Sequence, residues 1–137
     1  MAVIKDLIQK ETDGTISFGD YTLAEKTKKD GFSHDGNLFK IKTFKDITRL
    51  EKNDTFMYES VPGTAVSHLS ITDEKVTFDV SSFKDAEITL GLEAGTEYSV
   101  SLNGNDYGVL KTNLSGKLTL AVTIETEDPI KVEIVKK

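Results

Sequence analysis

The chemistry open to this chain is limited by its 2 histidines, His34 and His68, and by the absence of cysteine. Without cysteine there is no disulfide, thiolate ligand or thiol nucleophile, and a zinc site would need both histidines and two carboxylates to converge. A Ser-His-Asp triad can be drawn with either histidine, but no Gly-x-Ser-x-Gly motif supports one. The sequence places His34 in a turn and His68 on a strand, so we expect capping or solvent-facing roles.

Phosphate and cation motifs are also incomplete. Gly116-Lys117 is followed by Leu118 where a phosphate loop needs Ser or Thr, and the required earlier glycine is missing. Asn103, Asn105 and Asp106 could collect oxygens around a hard cation, although a hairpin turn explains the same residues. We therefore predict no catalytic residue, no bound metal and no cofactor.

Three aromatic residues could form a ligand platform on the surface. Tyr58, Tyr107 and Phe44 have neighbours that look exposed and are candidates for stacking on a sugar ring. Core packing or cross-strand pairing is the alternative explanation for each of them. Exposed, coplanar rings on one sheet face would favour the platform.

The charge balance argues against two classes of partner. The chain of 137 residues has 17 basic and 23 acidic residues and a net charge of -6. Such a chain repels phosphate backbones and anionic lipid head groups, so we predict no nucleic-acid and no membrane role. Lys26, Lys28 and Lys29 form a small basic run, which we assign to a solvated loop. Residues Met1 to Glu11 contain no apolar stretch of secretory length, which predicts a cytoplasmic location.

Apolar and polar residues alternate with a period of two through the second half of the chain. Successive side chains of a strand point to opposite faces, so each run predicts a half-buried antiparallel strand. The clearest runs span 86–92, 98–102, 118–124 and 130–134. Together with weaker runs they predict about seven strands from Thr64 to Val135, spaced as in a β-sandwich.

The first 60 residues are less regular and carry turn signals. Gly19-Asp20, Asp35-Gly36 and Asn53-Asp54 each lie between two short apolar runs and predict three β-hairpins. Residues Glu25 to Asp30 are predicted to be a solvated connector. Val3 to Lys10 could form one short helix, because its apolar residues fall on one face.

We place a boundary at Val61-Pro62-Gly63. It divides the chain into an N-terminal region of hairpins, residues 1–60, and a β-sandwich, residues 61–137. The fold class predicted for the whole chain is all-β.

The segment Leu92-Glu93-Ala94-Gly95-Thr96-Glu97-Tyr98-Ser99-Val100 resembles the corner of fibronectin type III and related immunoglobulin-like sandwiches. In that corner a Gly-Thr-x-Tyr segment begins a strand, and the resemblance implies that the Tyr98 hydroxyl bonds to backbone a few residues upstream. It also implies an immunoglobulin-like antiparallel β-sandwich for the C-terminal half. Three strands follow Tyr98 and the chain has no tryptophan for the core, so a sandwich of different topology stays open.

The whole chain is also similar to a set of short proteins of the bacterial Firmicutes, through Glu59-Ser60-Val61-Pro62-Gly63-Thr64 and Lys111-Thr112-Asn113-Leu114-Ser115-Gly116-Lys117-Leu118. Some of these proteins carry an endosialidase label, which implies sialidase activity. Sialidases hold the carboxylate of sialate with three arginines, whereas this chain has one, Arg49. The nearest match to the sialidase Asp-box, Ser33 to Phe39, is one residue short and occurs once. We therefore expect no sialidase activity, while an accessory link to glycan proteins stays open.

The function predicted from these residues is a non-catalytic binding or interaction module whose partner is an unidentified protein or glycan. Strand patterning accounts for most apolar residues, and no nucleophile, metal or phosphate motif rises above background. The alternatives are a carbohydrate-binding accessory protein and a self-assembling structural component of a phage or particle, joined through a strand edge. An enzyme of unrecognised type is a further alternative.

Overall fold

The computed structural model describes residues 4–126 and 128–137, and within them the chain forms strands, turns and loops without a helix. The strands are β1 (Ile8–Lys10), β2 (Ile16–Phe18), β3 (Thr27–His34), β4 (Asn37–Phe44), β5 (Ile47–Lys52), β6 (Thr55–Val61), β7 (Ala65–Ile71), β8 (Lys75–Ser81), β9 (Ala86–Gly91), β10 (Glu97–Leu102), β11 (Asn105–Lys111), β12 (Lys117–Val122) and β13 (Ile130–Lys136). The predicted all-β class is confirmed.

The strands form two antiparallel sheets that pack face to face as a β-sandwich. Sheet A has seven strands in the order β1-β2-β7-β8-β13-β10-β11, and sheet B has six in the order β12-β9-β6-β5-β4-β3. One continuous hydrophobic core lies between them, and its largest fully buried side chains are those of Phe18, Tyr58 and Phe78. The predicted sandwich is confirmed, and the seven strands expected after Thr64 are β7 to β13.

Both sheets contain strands from either side of Val61-Pro62-Gly63. β1 and β2 extend sheet A beside β7, while β3 to β6 extend sheet B beside β9. Gly63 and Thr64 are buried where the chain crosses from sheet B to sheet A. Residues before and after this segment therefore pack around the same core.

Alternation decides which side of each strand is buried. In β9, Ile88 and Leu90 are buried, and in β12, Leu118 and Leu120 are buried. Leu90 lies directly opposite Leu118 and Ile88 opposite Leu120, so the apolar residues of both strands fall on one face. Burial of each such side chain contributes about 1.5–3 kcal/mol.

Two-residue turns with left-handed backbone confirm two of the three predicted N-terminal hairpins. Asp35-Gly36 joins β3 to β4 with φ of 52° and 78°, and Asn53-Asp54 joins β5 to β6 with φ of 51° and 65°. Asn103-Gly104 joins β10 to β11 in the same way. Positive φ at both central residues gives a turn whose twist matches that of the paired strands.

The hairpin predicted at Gly19-Asp20 is wrong. β2 pairs with β1 and β7, and the residues after Asp20 form turns instead of a partner strand. Gly19 has φ of 101°, and a Cβ atom there would lie 2.3 Å from the carbonyl oxygen of Thr64. A close approach of two backbones, and not a hairpin turn, therefore requires this glycine.

The predicted N-terminal helix is also wrong. Val3 lies outside the described residues, Ile4 to Leu7 form a turn, and β1 follows. Ile8 pairs with Phe18 of β2 and is buried in the core between the sheets. Pairing with β2 therefore overrides the helical spacing of the apolar residues.

The solvated connector predicted at Glu25 to Asp30 is wrong from Thr27 onward, because these residues begin β3. This strand pairs with β4 and forms one edge of sheet B. Charged side chains suit an edge strand, since they oppose pairing with other chains. The same charges give the segment the composition of a loop.

Tyr98 makes the bond that the corner resemblance implies. The Glu93 N–H donates to the Tyr98 hydroxyl at 3.3 Å, and the ring is buried. The strand order differs from the seven-stranded immunoglobulin order, in which the last strand joins the sheet of the third and sixth strands. If β7 is counted as the first strand, the third and sixth are β9 and β12, and the last is β13. Here β13 lies between β8 and β10, in the opposite sheet from β9 and β12.

A row of buried hydroxyl groups lies beneath the crossover between the sheets. Thr43, Thr48 and Ser60 occupy directly opposite positions on β4, β5 and β6 and are fully buried. The Thr48 hydroxyl accepts the Thr64 N–H at 3.0 Å and donates to the Thr64 carbonyl at 2.9 Å. The Thr64 hydroxyl lies 2.7 Å from the hydroxyl of Tyr58, whose pKa is raised by burial. The two Thr48 bonds satisfy backbone groups that burial would otherwise leave unpaired, and the third bond pairs two buried hydroxyls.

Candidate functional site

The outer surface of sheet B concentrates positive charge. Lys28 on β3, Lys42 on β4 and Arg49 on β5 occupy directly opposite positions on three adjacent strands. Lys40 points the same way as Lys42, because Ile41 between them faces the core. We call this surface the cationic face, and its shallow cleft of about 90 Å³ is lined by Lys28, Lys40, Lys42, Arg49 and Glu51.

Arg49 is held in place by three neighbouring side chains. Its Nε donates to Glu51 Oε2 at 3.1 Å, and its Nη1 donates to Glu59 Oε1 at 3.3 Å. The guanidinium carbon lies 5.1 Å from the centre of the Phe56 ring, and Lys117 Nζ lies 5.0 Å from the same centre. The ring attracts both cations and limits their movement. Because two carboxylates already balance Arg49, the net positive charge of the cleft comes from its lysines.

Lys28, Lys40 and Lys42 form no ion pair with any carboxylate in the part of the chain that the structure describes. Lys28 and Lys42 are cross-strand partners, an arrangement that destabilises a sheet. The chain has 23 acidic residues, so a shortage of carboxylates does not explain why these lysines are unpaired. The unpaired cations leave the face with capacity for anions from outside the protein.

The structure does not bring Tyr58, Tyr107 and Phe44 together as a platform. Tyr58 is 1% exposed and packs edge-on against Phe18, with 5.2 Å between ring centres, so it is a core residue and not a surface aromatic. Phe44 ends β4 in sheet B, whereas Tyr107 lies on β11 in sheet A and is 40% exposed. The Tyr107 hydroxyl accepts the N–H of Ala121 at 3.1 Å, so it already has a partner within the protein.

A cavity of about 280 Å³ opens between the sheets beside the Asp35-Gly36 hairpin. Phe39 and Leu69 are among its apolar lining, and His34 lies at its polar side. His34 Nε2 donates to the carbonyl oxygen of Gly14 at 3.0 Å, so the ring links β3 to the β1–β2 turn. This imidazole has a structural partner, and we assign no ligand to the cavity.

His68 approaches two oxygen-bearing side chains without forming a catalytic triad. Its Nδ1 donates to Asp13 Oδ2 at 3.1 Å and lies 3.2 Å from Thr15 Oγ1. A triad needs the carboxylate and the nucleophile on opposite nitrogens of the ring, whereas both lie on Nδ1 here. The half-exposed ring therefore connects the β1–β2 turn to β7.

The residues considered for a hard cation have turn roles. Asn103 Oδ1 accepts the N–H of Lys131 at 2.8 Å, and Asp106 Oδ1 accepts the N–H of Gly108 at 3.1 Å. Asn105 is the first residue of β11. Among the described residues, no group of three or more histidine or acidic side chains could hold a metal ion.

The β1–β2 turn carries two carboxylates with altered acidity. Hydrogen bonds from Ser17 and then Gln9 lower the pKa of Glu11, and bonds from the side chain and backbone of Thr15 lower the pKa of Asp13. Both groups therefore keep their charge to lower pH in the folded protein than in the unfolded chain.

The variant Glu11→Gln/Asp13→Asn is expected to flatten the dependence of stability on pH. A folded-state pKa below the unfolded value stabilises the fold above the unfolded pKa, and this contribution is lost as the pH falls through the folded-state pKa. Between about pH 5 and pH 3, which spans the ordinary carboxyl pKa, the natural protein should lose more free energy of unfolding than the variant, as measured by urea titration. Glu87→Gln/Asp128→Asn removes two exposed carboxylates elsewhere and should keep the natural slope. The same slope in all three proteins would contradict the prediction.

The sequence alone does not predict most of the cationic face, although it contains part of the pattern that forms it. Of the four cations, Lys28 alone stands in the basic run noted from composition. Lys40 and Lys42 alternate with apolar residues, which indicates one polar side of a strand. The two-residue turn Lys45-Asp46 between β4 and β5 then places Lys42 opposite Arg49.

Comparison with known proteins assigns no family to this chain: no family model, no curated protein and no solved structure matches it. Within the described residues, no helix has the length and apolar character needed to cross a membrane. Function is therefore inferred from the residues and their geometry alone.

Proposed function

We propose that the protein is a non-catalytic binding module that holds an anionic partner on the cationic face. The observation that carries this proposal is the set of three unpaired lysines, Lys28, Lys40 and Lys42, on adjacent strands beside the carboxylate-bound Arg49, in a chain of net charge -6. Like charges on opposing positions cost the sheet stability, and a bound anion would relieve that cost.

The residues of the cleft suit binding better than catalysis. Its lining consists of three lysines, Arg49 and Glu51, with no histidine, serine or threonine. Glu51 and the neighbouring Glu59 are committed to the guanidinium of Arg49. The cleft can therefore attract and orient a charged group, but it lacks a matched acid and base for proton transfer.

Replacement of the three unpaired lysines by glutamine is expected to remove most of the binding. Lys28→Gln/Lys40→Gln/Lys42→Gln keeps polar side chains and deletes three charges. The natural protein should bind at least one of polyglutamate, polygalacturonate and dextran sulfate at low salt, and the triple variant should bind about tenfold more weakly, a loss of roughly 1.4 kcal/mol. Biolayer interferometry on the immobilised polymers, with neutral dextran as reference, measures both. Added salt should weaken binding, because exposed ion contacts are screened.

A matched variant separates local charge from total charge. Lys84→Gln/Lys111→Gln/Lys137→Gln deletes three charges from exposed positions outside the cationic face. It should bind within about twofold of the natural protein, since isolated surface charges contribute little. Equal loss in both triple variants, or no binding of the natural protein to any of the three polymers, would refute the proposal.

Self-assembly through a strand edge has weaker support. At the edge of β12, Asn113 Oδ1 accepts the Lys117 N–H and the Tyr107 hydroxyl accepts the Ala121 N–H. The register of β3 shifts between Lys29 and Phe32, which bends the edge strand on the other side of the sheet. Capped and irregular edges oppose pairing between copies.

An immunoglobulin-like relationship is a separate proposal. The Tyr98 corner supports it, and the position of β13 between β8 and β10 weighs against it. Binding at the cationic face does not depend on it, because that face is built from β3, β4 and β5.

A further inference from the structure

The backbone positions of three cationic-face residues follow the spacing of the strands that carry them. Lys28, Lys42 and Arg49 are direct neighbours across β3, β4 and β5. Adjacent strands lie about 5 Å apart, so the backbone positions that carry these three side chains span about 10 Å at right angles to the strands. Lys28 and Lys42 are unpaired, and Arg49 follows them with Glu51 and Glu59 bound to it. A ligand that meets all three needs negative groups at a comparable repeat. A linear chain of pyranose sugars with one carboxylate on each sugar has that property.

The same row continues across the sheet with groups that form hydrogen bonds. Arg49 lies opposite Glu59, Glu59 opposite Thr89, and Thr89 opposite Thr119. The hydroxyls of Thr89 and Thr119 are exposed and lie 3.1 Å apart. Between the cations and the hydroxyls lies Glu59, whose carboxylate is bound to Arg49. Cations at one side and hydroxyls at the other match a ligand that carries both carboxylates and hydroxyl groups.

The distribution of apolar residues argues against a protein partner on this face. The core of a protein interface is depleted in charge and rich in aromatic anchors. Here the centre of the face is occupied by Lys42, Arg49 and Glu51, whereas the exposed apolar residues Leu38 and Val61 lie at the ends of β4 and β6. A protein interface has the opposite arrangement, with apolar residues at its centre and polar residues at its rim.

The aromatic residue of the face argues against single-stranded nucleic acid. Proteins that bind single strands stack bases on free aromatic rings. Phe56 is half-buried, and its ring is already approached by Arg49 and Lys117 at 5.1 and 5.0 Å. The ring therefore positions two cations and is not open to a base.

Resting on the proposed function, we infer that the partner of the cationic face is an acidic glycan with a carboxylate on successive sugars, bound across β3, β4 and β5. Titration calorimetry of the full chain should compare polygalacturonate, its methyl ester, polyglutamate and oligothymidylate. Polygalacturonate should bind about tenfold more tightly than each of the other three. Lys42→Gln, which deletes the central cation of the row, should weaken binding about fivefold, while Lys111→Gln on sheet A should not.

The four ligands separate failure of this inference from failure of the proposed function. Polyglutamate or oligothymidylate binding as tightly as polygalacturonate would overturn the glycan class and leave an anion-binding module. If the methyl ester binds as tightly as polygalacturonate, the face does not recognise carboxylates, and both this inference and the proposed function are wrong. No binding of any anionic polymer would also overturn both.

Discussion

Replacing Thr48 by valine is expected to lower the free energy of unfolding by about 3 kcal/mol, although the side chain keeps its shape. The Thr48 hydroxyl accepts the Thr64 N–H at 3.0 Å and donates to the Thr64 carbonyl at 2.9 Å. It also lies 2.8 Å from the hydroxyl of Thr43. All these groups are buried, so valine leaves one donor and one acceptor of the crossover without a partner. Urea unfolding at neutral pH measures the change.

Thr89→Val is the matched control for this prediction. The Thr89 hydroxyl is also bonded to a threonine across a strand pair, at 3.1 Å from Thr119, but the pair is exposed to water. Water replaces the lost partner there, so stability should change by less than about 0.5 kcal/mol. Comparable losses of unfolding free energy in both variants would show that burial does not increase the contribution of the hydroxyl row beneath the crossover.

Alternation and turn chemistry account for the part of the fold that the sequence predicts. The runs from Ala86 to Leu92 and from Leu118 to Ile124 correspond to β9 and β12, because a period of two has meaning only in a strand. The turns at Asp35-Gly36 and Asn53-Asp54 follow from residues that tolerate left-handed backbone. Both signals are local, so they can be read without knowledge of the tertiary structure.

The parts that the sequence does not predict depend on contacts distant in the chain. Gly19 resembles a hairpin glycine until Thr64, far along the chain, is placed against it. Ile8 fits a helical pattern until Phe18 provides a strand partner. Tyr58 lies beside Glu59 in a segment that looks exposed, yet its position on β6 points it inward, where its hydroxyl bonds to the Thr64 hydroxyl. In each case the deciding neighbour is not adjacent in sequence.

The candidate site also depends on contacts between residues that are distant in the chain. Arg49 and Lys42 come together through the register of β4 with β5, and Lys28 joins them through the register of β3 with β4. The inward neighbours of two of these residues, Thr43 and Thr48, belong to the buried hydroxyl row. Strands β4 and β5 therefore both position the crossover between the sheets and align Lys42 with Arg49. The fold and the candidate site depend on the same two strands.

Gly19→Ala is expected to destabilise the protein by about 4 kcal/mol, from two separate costs. Gly19 has φ of 101°, a conformation that an L side chain rarely adopts. In addition, a Cβ atom would lie 2.3 Å from the backbone oxygen of Thr64 and 3.2 Å from the Cα of Ala65. Neither contact involves a flexible side chain, so the crossover itself would have to move. Thr48 bonds to Thr64, and its Cγ2 would lie 3.3 Å from the same Cβ atom, so relief of the clash would strain the hydroxyl bonds as well.

Gly104→Ala isolates the first of these costs. Gly104 has φ of 81° in the β10–β11 turn, and nothing lies within 4 Å of the position of its missing Cβ. Alanine there should cost about 1 kcal/mol, the strain of left-handed backbone alone. Chemical unfolding of the two variants under the same conditions gives the difference, and a larger loss for Gly19→Ala assigns the remainder to the close approach between β2 and the crossover. If both variants lose the same stability, the glycine at position 19 is required only by its backbone angle, and the packing of the crossover against it has no energetic role.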